Sequence, residues 1–245
     1  MDFERRRDYL QTLGIDLWLA RGSGAAAPAA PSSAPQAELI TTVARASVAG
    51  AGGWERLRQE VRECTRCPLH TSRTQGVFGV GPERCDWLVI GEAPGAEEDR
   101  RGEPFVGAAG QLLDAMLKAI GLDRRSNVYI ANVLKSRPPG NRDPKPEEVA
   151  ACLPFLERQI ALLQPKIMLA VGRIAAQNLL ATATPLGRLR GQVHRFGATP
   201  LVVTYHPAYL LRTPSDKRKA WEDLKFARSV YQELTRGSAT DGDRA

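Results

Sequence analysis

Short apolar runs alternate with longer segments of helical period along most of this chain. Asp86–Gly91 (DWLVIG), Asn127–Asn132 (NVYIAN), Lys166–Val171 (KIMLAV) and Thr199–Thr204 (TPLVVT) are brief, β-branched or aliphatic, and bounded by polar residues or Gly. They predict four strands buried on both faces. Between them, Leu112, Leu113, Met116, Leu117 and Ile120 share one side of a helix predicted over 107–121. Further helices are predicted over 54–64, over 146–163 with Pro146 near its start, over 172–180, and from about Pro214 to Leu234. Strands alternating with helices predict a mainly parallel four-stranded sheet covered on both faces, and residues 188–197 offer an additional hairpin. Ligands in such folds bind beyond the carboxyl ends of the strands. Three unusual segments fall there: Gly91-Glu-Ala-Pro-Gly95, Asn132 and His206-Pro207.

The amino-terminal part reads differently. Residues 2–13 predict a short helix, and Leu10, Leu13, Ile15, Leu17 and Trp18 offer apolar side chains to a protein partner. Ala25–Ala37 holds seven Ala, three Pro and two Ser, too few large side chains for a core. The expected organisation is a helical segment over 1–20, a flexible linker over 21–53, one folded domain over 54–235 and a disordered tail over 236–245.

Charge sharpens the picture. The 245 residues carry a net charge of +7, while residues 1–53 hold five basic and five acidic side chains. All of the excess therefore lies in the folded part, as a polyanionic partner would require. No apolar run reaches the roughly 18 residues of a membrane helix, and the start is too polar for a secretory signal. A cytoplasmic protein without membrane association is expected.

Three long segments, GEAPGAEEDRRGEPFVGAAGQLLD (91–114), NVYIANVLKSRPPGNRDPKPEEVAACLPFL (127–156) and TYHPAYLLR (204–212), resemble the family 4 uracil-DNA glycosylases. The resemblance covers about 54–235. It implies a three-layer α/β/α fold, excision of uracil from DNA, and a 4Fe-4S cluster held by four Cys; a monomer is expected.

The residue types fit that chemistry. A glycosylase takes the base out of the stack and reads its edge. The Asn132 amide offers one donor and one acceptor, matching O4 and N3–H of uracil; otherwise it is an Asn turning the chain after a strand. Phe105 is the candidate stacking platform, or else simple core. Gly91, Ala93 and Gly95 line the first loop, where glycine lets backbone approach the base closely. Cleavage leaves negative charge on uracil, largely on O2, and His206 is the candidate donor to it. His194 and His70 read as structural or surface residues. The better-known glycosylase motif GQDPYH has an Asp where this chain has Ala93, so Glu92 and Glu98 become the candidates for positioning water, with Asp99 nearby. After the fourth strand, Leu210 or Leu211 is a candidate wedge between bases, with helix core as the rival reading. Arg212 and Arg137 are candidate phosphate contacts, and Arg142, Lys145, Arg188 and Arg190 read equally as further ones or as a solvated basic face.

The cysteines depart from the family pattern. Cys64 and Cys67 fit the first CxxC pair and Cys152 the last position, but Ser136 stands where the third Cys belongs. Cys85 precedes the first strand, at its amino end. At ~3.3 Å per residue that lies roughly 15–20 Å from Ser136, too far to share a cluster. Serine oxygen is harder and less acidic than thiolate, so a weakened fourth ligand is expected. Zinc on three Cys and loss of the cluster remain open, as do two rival functions. One is a non-catalytic iron-sulfur DNA-binding or sensing protein on the same fold. The other is a nucleotide-binding α/β enzyme, which lacks its GxGxxG or P-loop fingerprint here.

Overall fold

The computed structural model of the chain describes residues 52–240. The expected helix at 2–13, the Ala/Pro linker and the last five residues lie outside them.

Helix α1 (Gly52–Arg62) opens the domain, and a 3-10 turn over Pro68–Thr71 follows the CxxC segment. Strand β1 (Trp87–Gly91), the short helix α2 (Ala96–Arg101), helix α3 (Ala108–Lys118) and β2 (Val128–Asn132) come next. Helix α4 (Pro146–Leu163) leads to β3 (Ile167–Val171) and α5 (Arg173–Leu179). The short α6 (Leu186–Leu189), β4 (His194–Phe196), β5 (Thr199–Thr204), α7 (Pro207–Arg212) and α8 (Lys217–Thr240) complete it. The strands fall within a residue of their expected positions. Helix α8 runs past Leu234 to Thr240, and α2, α6 and α7 had no counterpart in the apolar pattern because each spans two turns at most.

The sheet has five strands in the order β2-β1-β3-β5-β4. Pairing is parallel except for β4, which forms a short antiparallel hairpin edge with β5. The hairpin over 188–197 thus adds a fifth strand to the four that the apolar runs predict. Strand alternation sorts the core into two layers. Leu88, Ile90, Tyr129, Ala131, Met168, Ala170 and Val203 face α1, α4 and α5. Trp87, Val89, Val128, Ile130, Leu169, Val171 and Val202 face α3 and α8. This is the three-layer α/β/α arrangement. The helix after β1 and the helix after β3 therefore cover opposite faces, and a crevice opens between the carboxyl ends of these neighbouring strands.

Candidate functional site

Four strand ends meet at this crevice. Gly91 and Asn132 are register partners at the ends of β1 and β2. The pairing continues beyond the strands: Val133 N–H donates to Gly91 O at 2.9 Å and Leu134 N–H to Glu92 O at 3.0 Å. Gly172, just past β3, donates its N–H to Thr204 O at 2.8 Å. Its φ of +100° excludes most side chains, and a Cβ there would stand 2.9 Å from His206 Cβ. A Cβ on Gly91 would stand 2.4 Å from Asn132 Oδ1 and 2.6 Å from Phe105 Cζ. The Phe105 and His206 rings are 5.6 Å apart at 31°. Gly91, Phe105, Asn132 and His206 thus form one pocket, assembled from segments more than 110 residues apart in sequence.

Within it Asn132 Oδ1 is buried and has no hydrogen-bond partner, alone among the buried side-chain nitrogens and oxygens of the described residues. A buried acceptor left unmade costs about 1–3 kcal/mol, so the site is built for a ligand that donates there. Beneath it, the fully buried Lys135 donates through Nζ to Asn132 O at 2.8 Å and to Gln159 Oε1 at 2.6 Å. Burial pushes the Lys135 ammonium down to about 7. Gln159 in turn donates to Phe78 O at 3.0 Å. The peptide carrying Asn132 is therefore held from below, a support the sequence reading missed.

His206 caps α7: its Nδ1 accepts from Ala208 N–H at 3.1 Å. That fixes the proton of the neutral ring on Nε2, which is left as a donor. Burial, aided by Arg212, pushes the His206 pKa down to about 4, with Glu98 opposing. The imidazole is neutral at physiological pH.

The acidic residues of the first loop divide. Glu92 is half-buried beside the Asp143–Arg173 ion pair, whose N···O distance is 2.8 Å. Burial raises its pKa to about 7; Asp143 adds to this and Arg173 opposes it. A carboxylate poised near neutrality suits a general base. Glu98 is a correction to the expectation that it positions water. Its Oε2 accepts from Gly95 N–H at 3.1 Å, and Oε1 from Val106 N–H at 3.0 Å and Gly107 N–H at 3.3 Å. Both oxygens are engaged by backbone, so Glu98 orders the loops around Ala93–Gly95 and Phe105. Asp99 is similarly occupied, accepting from Thr74 N–H at 2.9 Å.

In α7, just past β5, Leu210 is fully buried in the layer beneath α8, so the wedge reading fails for it. Leu211 is 43% exposed and Arg212 is exposed beside it. Half-buried Arg137 donates through Nε to Asn141 Oδ1 at 2.7 Å. Two other arginines are committed elsewhere. Arg142 pairs with both oxygens of Glu148 at the start of α4. Arg190 grips Asp223 through two bonds of 2.7 and 2.8 Å and lies 4.5 Å over the Tyr205 ring. Lys145 and Arg188 remain exposed. His194 Nε2–H donates to Leu189 O at 2.7 Å and His70 Nδ1–H to Cys67 O at 2.7 Å, both local backbone bonds.

The cysteine segments also converge. Cys64, Cys67 and Cys85 all pack against the core layer that contains Cys152. Burial raises the Cys152 thiol, Lys135 opposes this through its N–H and charge, and Cys67 and Cys64 are near enough to add to the rise. Lys135 N–H points at Cys152 Sγ from 3.5 Å. Ser136 is 3% exposed, and its Oγ accepts from Arg73 Nη1 at 2.8 Å. Arg73 Nη2 reaches Arg62 O at 2.8 Å and Cys64 O at 3.1 Å. This guanidinium ties Ser136 to the CxxC segment. Cys85 stands apart, its Sγ 3.4 Å from Trp87 O at the amino end of β1. Among the described residues, no three His, Cys, Asp or Glu side chains stand as ligands of a single metal ion. A cluster is larger than one ion and spreads its ligands further apart. Three thiols and a buried hydroxyl on neighbouring segments match such a group in donor type, with the serine corner the weakest.

Comparison with known proteins agrees with this geometry. The family model described as "Uracil DNA glycosylase superfamily" matches residues 78–225. A type-4 uracil-DNA glycosylase of Archaeoglobus fulgidus is 46% identical over 175 residues, covering 68% of this chain and 87% of that protein. One from Thermotoga maritima is 42% identical over 182 residues, covering 73% and 94%. A type-5 uracil-DNA glycosylase of Thermus thermophilus is 33% identical over 153 residues, covering 53% and 68%. With the matched region spanning all five strands and the whole pocket, the chain belongs to the uracil-DNA glycosylase superfamily and to its type-4 family.

Proposed function

We infer that this protein is a uracil-DNA glycosylase: it hydrolyses the N-glycosidic bond of uracil in DNA and leaves an abasic site for base excision repair. The observation that carries the reading is the buried, unpartnered Asn132 Oδ1 beside Phe105 and the free Nε2–H of His206. Uracil extruded from the strand stacks on Phe105. Its N3–H donates to Asn132 Oδ1, and the amide NH2 donates to O4. Cytosine presents an acceptor at N3 and a donor at C4, so the same amide orientation rejects it.

As the bond to N1 breaks, the sugar becomes cation-like and the electron pair moves into the base. Negative charge gathers on O2, where the His206 Nε2–H stabilises it without proton transfer. A neutral imidazole donor of this kind stays in place through the reaction. Glu92, poised near neutrality, takes a proton from the water that attacks the sugar carbon. Gly91, Ala93 and Gly95 give the base and a phosphate close access to backbone. Leu211 fills the gap left by the flipped base, and Arg212 and Arg137 hold flanking phosphates.

Cys64, Cys67, Cys152 and Ser136 would hold a 4Fe-4S cluster, which when bound ties the CxxC segment, the loop after Asn132 and α4 together. The protein acts as a cytoplasmic monomer on uracil-containing DNA, with residues 1–20 left to bind a protein partner. Among the described residues no helix is long and apolar enough to cross a membrane.

A uracil-containing oligonucleotide treated with the purified protein and then with alkali tests the reading directly. Cleavage at the uracil position is expected, with most of it lost in Asn132→Ala. In His206→Ala, bond breaking should slow more than DNA binding. Near-parental single-turnover rates in both variants would show that the pocket is not the reaction site.

A further inference from the structure

Phe105 is held in a backbone conformation that a phenylalanine does not choose. Its φ is +56°, in the left-handed region. Such a conformation persists only where its surroundings over-determine it. The surroundings here are specific. Arg124, in the turn before β2, donates through Nη2 to Phe105 O at 2.9 Å and through Nη1 to Pro104 O at 3.1 Å. Its Nε is anchored on Asp114 Oδ1 of α3 at 2.7 Å, and its side chain is only 12% exposed. On the other side of Phe105, Glu98 receives the N–H groups of Val106 and Gly107. The first turn of α3 closes the third side: a Cβ on Gly110 would fall 1.8 Å from Phe105 O, so only glycine lets that carbonyl lie where it does.

We propose that Arg124 is a positioning residue for excision: its guanidinium clamps the Pro104 and Phe105 carbonyls and so fixes the Phe105 ring as a rigid platform for the flipped base. The proposal rests on the stacking role assigned to Phe105 above. Its logic is geometric. Phe105 is 7% exposed, and its ring forms one wall of the pocket, between Gly91 and His206. Rotation of the 104–105 peptide toward an unstrained φ would swing that wall across the space the base must enter. Arg124 removes this freedom by bonding two successive carbonyls, while Asp114 sets the plane of the fork. Lysine cannot reproduce this: its ammonium is a single point of charge on a flexible stem, where the guanidinium is a planar fork with five donors.

The test is a double-mutant cycle in the full-length protein, read as single-turnover excision from a uracil-containing oligonucleotide, with DNA affinity and thermal midpoint measured alongside. Arg124→Lys should slow excision roughly 10- to 100-fold, as expected for a small misplacement of a wall of the site, while DNA affinity stays near parental. Asp114→Asn keeps the guanidinium but frees its plane, and should produce a smaller loss in the same direction. In the Phe105→Ala background neither substitution should matter further, because the group they position is gone. Losses that multiply across the cycle, or unchanged excision in both Arg124→Lys and Asp114→Asn, would overturn the proposal. If Arg124→Lys does not fold, the Asp114→Asn arm of the cycle decides on the same criterion. Full activity in Phe105→Ala alone would instead remove the stacking role itself, a result distinguishable from failure of the clamp.

Discussion

Gly91→Ala offers a sharp measure of how closely the pocket is built. Gly91 ends a regular strand, so alanine meets no backbone penalty there and its whole effect comes from one methyl group. That methyl would stand 2.4 Å from Asn132 Oδ1 and 2.6 Å from Phe105 Cζ, whereas ordinary contact begins near 3.4 Å. Both groups must retreat by about 1 Å, and neither is free to: Asn132 and Phe105 are 2% and 7% exposed. Overpacking of this kind costs about 1–3 kcal/mol. At about 2–4 °C per kcal/mol for a domain of this size, the thermal midpoint should fall by roughly 2–12 °C. The same displacement should also slow catalysis. A 1 Å misplacement of positioning groups costs about 100-fold in rate, and here the edge-reading amide and the stacking ring move together. Single-turnover excision at a temperature where both proteins are folded should drop by that factor. DNA affinity should hold to the extent that Arg212 and Arg137, which lie outside the substituted position, supply the proposed phosphate contacts. A variant that is destabilised as calculated yet cuts at the parental rate would refute the claim that these two side chains read the base.

Other substitutions follow from the same geometry. If ionised Glu92 is the base, excision should rise with pH through an inflection near 7, and Glu92→Gln should abolish the rise; a parental rate that stays flat between about pH 6 and 8 would exclude that role. His206 is held neutral down to about 4 against an unfolded value near 6.5. Its contribution to stability is therefore full above about 6.5 and disappears as pH falls through 4, so thermal midpoints of His206→Gln should depend less on pH across that window. Leu211→Ala should slow excision from duplex more than from single strands and leave the midpoint unchanged. Leu210→Ala, by contrast, empties a buried position and should cost about 2–5 kcal/mol of stability. Ser136→Cys should raise the iron and sulfide content of anaerobically purified protein and slow its loss in air; equal content in both proteins would show that the serine corner, already held by Arg73, is not what limits cluster retention.

Much of the fold and part of the site were legible in the chain by itself. A parallel strand covered on both faces must be apolar throughout, so the four runs ending at Gly91, Asn132, Val171 and Thr204 announced the sheet and its functional edge. The candidate residues at those ends were also visible, because Asn132 and His206 are polar residues placed just where an apolar run stops. Other assignments were not open to sequence reasoning. Leu210 and Leu211 are identical in type and adjacent, and only the packing of α7 buries one and exposes the other. Glu98 stands beside the candidate loop in sequence, but three backbone N–H groups occupy its carboxylate in the fold. Arg124 carried no signal, as one arginine of a pair in a polar turn. Arg73 meets Ser136 across 63 positions of chain. Periodicity records only whether a residue faces core or solvent. The pairing of a hydrogen-bond donor with one acceptor depends on where distant backbone segments come to rest, and that is decided by the tertiary fold.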